Sequence, residues 1–194
     1  MTQRIINNAG AISFDRDLTV AQTISASRRL KFFRQGPIQS ILEVRMNVIT
    51  QDEYRQILAA LSQDLAGPYT LTLPAVVVGT EVEDVTVNGA DTGGSTVDLE
   101  KVGTSGTTVL PLGTRIKFDG HDRSYVVTET EQSNASGHFS VTLDQPHPSL
   151  TDGTVVEVGA GIEFSMYLIE RPRASQGPTG LVAHDGPFIF AEVV

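Results

Sequence analysis

From Leu42 to Val48 the apolar residues Leu42, Val44, Met46 and Val48 alternate with Glu43, Arg45 and Asn47. That is the period of a strand with one face buried. Ile162, Phe164, Met166 and Leu168 repeat the same alternation near the C-terminus. A different period runs through Tyr54, Ile57, Leu58, Leu61 and Leu65, which recur at i, i+3, i+4, i+7 and i+11 and form one stripe of a helix. Thr50-Gln51-Asp52-Glu53 precedes the stripe and has the form of a capping box. The Thr50 hydroxyl can accept the Glu53 backbone N–H while the Glu53 carboxylate reaches back. Gly67-Pro68 stops the pattern, so a helix is predicted over about 51–66. Tyr69 to Leu73 then reads as a strand ended by Pro74. Ser27 to Arg34, SRRLKFFR, is separated from the first alternating run by Gly36-Pro37, and the two segments are expected to pair as an antiparallel hairpin. Beyond Arg171-Pro172-Arg173, a loop containing Gly177-Pro178 and Gly186-Pro187 is expected to lead into a last strand, Phe188 to Val194.

The middle of the chain has another rhythm. Short β runs at 82–87, 96–102, 114–118, 124–130, 138–143 and 154–158 are separated by turn signals, including Asp119-Gly120 and Asp152-Gly153. Turns at intervals of roughly 8–12 residues mark a small barrel or sandwich. FDGHDRSY, Phe118 to Tyr125, places polar residues between two β runs and reads as a hairpin tip. Charge changes at the same places: residues 1–74 carry net +2, residues 75–160 net −9 and residues 161–194 net −2. The expected organisation is a β domain made of 1–74 plus 161–194, with one flanking helix, into which a small β module, 75–160, is inserted. The expected class is mainly β.

Composition narrows the functions. Apolar residues are 40% of the 194, aromatics only 6%, and Trp is absent, so aliphatic side chains must fill most of the core. A net charge of −9 argues against a protein that grips DNA, because that affinity comes from cations displacing counterions. With no Cys there is no disulfide, thiolate metal site or Cys nucleophile. No run approaches the roughly 20 apolar residues that span a bilayer. MTQRIINNAGAIS lacks the apolar stretch of a signal peptide. The expectation is therefore a soluble chain made in the cytoplasm.

Candidate chemistry is sparse. His121, His138, His147 and His184 show no metal-ligand spacing. Asp119, His121 and Asp122 could approach a cation, although a polar hairpin tip explains them more simply. His147, between Pro146 and Pro148, reads as a loop residue. Asp91-Thr92-Gly93 matches the tripeptide of aspartic proteases, which need two carboxylates sharing a proton. Within VNGADTGGST a Gly-rich turn is the simpler reading. Asn134-Ala135-Ser136 is a formal glycosylation sequon, relevant only in a secretory pathway. No nucleophile elbow, P-loop or dinucleotide fingerprint is present, so neither a cofactor nor an enzymatic activity is expected. Arg28, Arg29, Lys31 and Arg34 form a basic cluster in an acidic chain. The cluster is a candidate intersubunit contact; a solvated face, edge-strand protection or a nucleic-acid contact are the alternatives.

Two stretches, 111 residues together, carry a resemblance. Ser27 through Pro74, with SRRLKFFRQG and LEVRMNVITQDEYRQILAALSQDLAGPYTLTLP, resembles the opening half of tailed-bacteriophage tail proteins of the tail-tube and distal-tail kind. In that family a basic strand, a return strand, a capped helix and an exit strand after Gly follow in this order. Thr96 through Val158, with PLGTRIKFDG, RSYVVTE, FSVTLDQPHP and LTDGTVVEV, is similar to an accessory module of such proteins. The resemblance implies a tail-tube-like β-sandwich. It implies a virion structural protein made in the host cytoplasm, forming a hexameric ring at the tail tip or baseplate and meeting copies of itself and neighbouring tube and hub proteins. DNA would pass through without specific binding, and no catalysis is implied. A second reading makes 75–160 a host-glycan-binding module. Its aromatics, Phe118, Tyr125 and Phe139, all fall in strand patterns that point to the core. A third, enzymatic reading would rest on Asp91-Thr92-Gly93 or on residues 119–122.

Overall fold

The computed structural model describes residues 3–17, 20–24, 30–34, 39–63, 68–102 and 107–193; within these, side chains 4, 15–17, 20–24, 30–34, 39 and 60–63 are not described. The chain is mainly β. In order it forms α1 (Gln3–Asn7), β1 (Ala9–Asp17), β2 (Val20–Ile24), β3 (Leu30–Arg34), β4 (Gln39–Met46), β5 (Ile49–Thr50), α2 (Gln51–Gln63) and β6 (Tyr69–Thr72). There follow α3 (Ala75–Val78), β7 (Val85–Val87), β8 (Gly94–Lys101), β9 (Val109–Leu110), β10 (Arg115–Phe118), β11 (Ser124–Val126), β12 (Glu131–Gln132), β13 (His138–His147) and β14 (Val155–Val158). A single 3-10 turn, Gly159–Gly161, leads to β15 (Glu163–Glu170), β16 (Arg173–Gln176), β17 (Leu181–Asp185) and β18 (Phe188–Glu192). Two compact units result, 1–71 with 165–194, and 72–164.

The first unit is built on a five-stranded sheet in the order β1-β4-β18-β15-β6. The alternation at Leu42 and Val44 puts both on the buried face. Register then assembles an apolar row: Phe14 stands opposite Leu42, Leu42 opposite Phe190 and Phe190 opposite Leu168. A small sheet, β16-β17-β5, lies in the same unit. α2 begins where predicted: the Thr50 backbone N–H donates to Glu53 Oε2 at 2.9 Å, and the Glu53 N–H donates to Thr50 Oγ1 at 3.3 Å. Of the predicted stripe, Ile57 is buried while Tyr54 and Leu58 are half-buried; the side chains of Leu61 and Leu65 lie outside the described residues. Thr50→Ala is expected to cost about 0.5–2 kcal/mol through the lost cap, read as a lowered denaturation midpoint. No loss would mean that the cap contributes nothing to the folded unit.

The second unit is a curled sheet, β11-β10-β14-β7-β8-β13. Its ends are brought together where Val127, just past β11, bridges Leu143 of β13, and the Thr128 N–H donates to Thr142 O at 2.9 Å. The two-stranded ribbon β9-β12 belongs to the same unit. Alternation along β13 sends Phe139, Val141 and Leu143 inward, and Val85, Val97, Leu99, Ile116, Phe118, Tyr125 and Val158 join them in one apolar core. This is the aliphatic-rich interior that the composition requires. Gly159 has φ +62°, and a Cβ there would lie 2.6 Å from Gly79 O, so both the turn and the close approach demand glycine.

Three expectations are corrected. Of the segment Ser27 to Arg34, the described part, Leu30–Arg34, does not pair with Gln39–Met46: β3 pairs with β2, and β4 pairs with β1 and β18. Both edges of β4 are taken by strands that bring Ile12, Phe14, Phe188 and Phe190 opposite its Leu42 and Val44. The expected loop after Arg173 contains the hairpin β16–β17, closed by the Gly177 N–H donating to Leu181 O at 2.9 Å. All four residues of β16 are exposed, so no alternation marks it. β1 was also unmarked, because Ala9-Gly10-Ala11 gives its first half no apolar contrast. His147 is not a loop residue but the buried inward end of β13.

Candidate functional site

The sequence-derived candidates disperse in the structure. Arg28 and Arg29 lie outside the described residues. Lys31 and Arg34 belong to β3, where Lys31 is in register with Thr23 and Arg34 with Val20 of β2; their side chains lie outside the described residues. Asp119, Gly120, His121 and Asp122 form the expected tip between β10 and β11, with the His121 N–H donating to Phe118 O at 3.1 Å. Among the described residues no group of His, Asp and Glu is arranged to hold a metal ion. Asn134 closes a local turn, accepting the Ser136 and His138 N–H groups on its Oδ1 at 2.8 and 3.1 Å.

Asp91-Thr92-Gly93 is a turn whose chemistry is accounted for locally. Asp91 Oδ1 accepts the Gly93 N–H at 2.8 Å, and the Asp91 backbone pairs with Leu150. Gly93 has φ +99°, and a Cβ on it would lie 2.9 Å from His147 O. The second carboxylate oxygen lies 3.6 Å from His147 Nε2. That ring nitrogen is also 3.1 Å from Thr96 O, and Nδ1 is 2.7 Å from Pro148 O. With the Phe118 ring 5.7 Å away, His147 ties β8, β13 and the Asp91 turn at one place in the second unit. Phe118, Tyr125 and Phe139 are all buried, so none offers a face to a sugar.

Among the described residues, one concave feature with polar, aromatic and aliphatic walls lies in the first unit. α2 and the β16–β17 hairpin enclose a cleft of about 330 Å³, lined by Gln51, Tyr54, Arg55, Leu58, Ala174, Ser175, Gln176 and Val182. The Gln51 amide spans it, donating from Nε2 to Gln176 Oε1 at 3.3 Å. Arg55 has a loose partner in Asp52, 3.7 Å away, and both are exposed. Beside the cleft the His184 ring sits edge-on to Tyr54 at 5.5 Å and against Phe188 at 5.6 Å. Both His184 ring nitrogens are shielded from solvent and have no hydrogen-bond partner among the described residues. A second concavity, of about 480 Å³, is lined by Glu81, Val82, Glu83, Lys101, Thr107, Thr108 and Val109 and has no aromatic wall.

Burial pushes the His184 imidazole below its ordinary pKa. The unfolded chain then takes up a proton more readily than the folded one. His184 therefore contributes stability that is complete above the ordinary histidine range and is lost as pH falls from about 6.5 toward the lowered folded value. Replacing His184 with Phe should flatten that part of the stability–pH curve, measured by thermal melts of both proteins. An unchanged curve would assign the pH dependence to other groups.

In the sequence Gln51 stands only within the capping box, His184 only as a histidine without metal-ligand spacing, and Gln176 in no motif. Gln51 and Gln176 are 125 positions apart, and Tyr54 read only as part of an apolar stripe. Polar residues brought together across a hairpin whose first strand, β16, lacks alternation leave no local signal. No protein-family model and no curated protein matches the chain.

Proposed function

We propose that the chain is a virion structural protein that forms a ring at the distal tail or baseplate, joins or initiates the tail tube, and lets DNA pass without binding it. The observation that supports this reading is the five-stranded sheet, with β1 and β6 at its two ends among the described strands. A closed ring needs heterologous contacts that repeat by rotation, and sheet ends are ready templates for them. On the β15 strand of that sheet Tyr167 and Ile169 are 48% and 60% exposed, giving apolar area for a neighbour to cover. The net charge of −9 suits a ring that phosphate must pass, since like charges repel. The chain's partners are further copies of itself and the adjoining tube and hub proteins. Native mass spectrometry and electron microscopy of the purified protein test it: closed rings with a central opening are expected, and a monomer at every concentration overturns it.

The basic segment supplies orientation in this reading. In this reading these charges meet the neighbouring copy and not the subunit's own core, so changing Arg28, Arg29 and Arg34 together to Ser should leave the subunit's melting temperature nearly unchanged. Self-association, measured by sedimentation, should weaken, and that of the unaltered protein should fall as salt rises. Unimpaired assembly by the triple variant removes this segment, with Lys31, from the contact.

A further inference from the structure

We propose that the cleft between α2 and the β16–β17 hairpin is a binding site for a neutral sugar residue of a glycan. The inference does not rest on the ring reading. Sugar recognition needs an accessible aromatic face, planar polar groups that both donate and accept, and a concavity of suitable size. Tyr54 supplies the first: it is half-buried, lines the cleft, and its orientation is held by the edge-on His184 ring at 5.5 Å. A ring already held in place loses little freedom when a ligand stacks on it. In the second unit, by contrast, Phe118, Tyr125 and Phe139 are buried.

The amide pair supplies the second requirement. When Gln51 Nε2 donates to Gln176 Oε1, Gln51 keeps its carbonyl oxygen as an acceptor and Gln176 keeps its two N–H donors. A donor and an acceptor side by side match the neighbouring hydroxyls of a pyranose, each of which does both. Leu58 and Val182 provide apolar wall for the C–H face of the ring. The volume, about 330 Å³, lies at the small end of the roughly 300–1,000 Å³ span of ligand clefts and suits a short saccharide.

Local charge selects a neutral ligand. The Arg55 guanidinium has the Asp52 carboxylate 3.7 Å away, and Glu53 stands in the same turn of α2. At the helix N-terminus the Thr50 N–H donates to Glu53 Oε2, the Glu53 N–H to Thr50 Oγ1 and the Gln51 N–H to Gly180 O, so these three donors are not offered to an anion. Of the residues lining the cleft Arg55 alone is charged, and a carboxylated sugar would have to share its guanidinium with Asp52 in a chain of net −9. An extended peptide added along exposed β16 is the competing occupant. It would use the strand's backbone and leave the amide pair without a role.

The test is titration of the ¹⁵N-labelled full chain with methyl α-D-glucopyranoside, methyl α-D-galactopyranoside, N-acetylglucosamine and glucuronate. The side-chain amides of Gln51 and Gln176 and the backbone amides of Tyr54 and Val182 are followed by NMR. At least one neutral probe is expected to shift these signals with a Kd on the order of millimolar, and glucuronate is expected to bind more weakly. Tyr54→Ala and Gln176→Ala should each weaken that binding about tenfold. Gln176 is on an exposed strand, so its variant keeps the fold if Tyr54→Ala disturbs α2. The proposal is overturned if no neutral probe shifts the cleft amides, if shifts fall only in residues 72–164, if glucuronate binds best, or if Gln176→Ala binds as the unaltered protein does. It is equally overturned if a strand-forming peptide shifts Arg173 to Gln176 while the sugars do not.

Discussion

Phe118→Ala is expected to destabilise the 72–164 unit by about 3–5 kcal/mol. Phe118 is 0% exposed, and its ring lies 5.4 Å from Tyr125 and 5.7 Å from His147. It stands on β10, between β11 and β14, so truncation opens a cavity in the middle of the curled sheet rather than at a rim that could collapse. A domain's whole stability is only about 5–15 kcal/mol, so the loss removes a large part of it. Chemical denaturation should show a lower midpoint at unchanged slope. Hydrogen exchange should quicken through β7, β8, β10 and β13 while β4 and β18 keep their protection. Uniform loss of protection across both sets would mean that the two units unfold as one, and an unmoved midpoint would remove Phe118 from the core.

Ile57→Ala is the corresponding test of the first unit, with an expected loss of about 2–5 kcal/mol. Ile57 is 2% exposed and is the buried member of the α2 stripe whose side chain is described. Most of a helix's stability in a protein comes from the face it packs, because a thirteen-residue helix is marginal by itself. The expected signature is faster exchange in α2 and β17 together with a lowered midpoint. A loss below about 0.5 kcal/mol, the range of surface substitutions, would mean that α2 is held by its cap rather than by its buried face.

What the chain reveals locally follows from short-range physics. Alternation at Leu42 to Met46 and at Phe164 to Met166 identifies β4 and β15, because a strand sends successive side chains to opposite faces. The helix and its start are legible because Thr50 and Glu53 are three positions apart and satisfy each other's backbone. The hairpin tip at Asp119-Gly120 is legible for a similar reason, since turn geometry is paid for by the turn's own residues. The strands β7, β8, β10, β11, β13 and β14 overlap the six predicted runs, with ends that differ by a few residues.

Which strand pairs with which was decided only in three dimensions. Nothing near Gln39 says that β4 takes β1 and β18 and leaves β3 to β2; that depends on which pairing sets Phe14 and Phe190 opposite Leu42. Closure of the second sheet at Val127 and Leu143, and the burial of His147 among Thr96, Pro148 and Asp91, likewise join distant positions. The cleft belongs to this second kind. Tyr54 came from a legible helix and Gln176 from an exposed strand without alternation, and only the packing of α2 on the β16–β17 hairpin makes them walls of one site. Local periodicity reports how a segment meets water on its two faces; it carries no record of which segment covers the buried one.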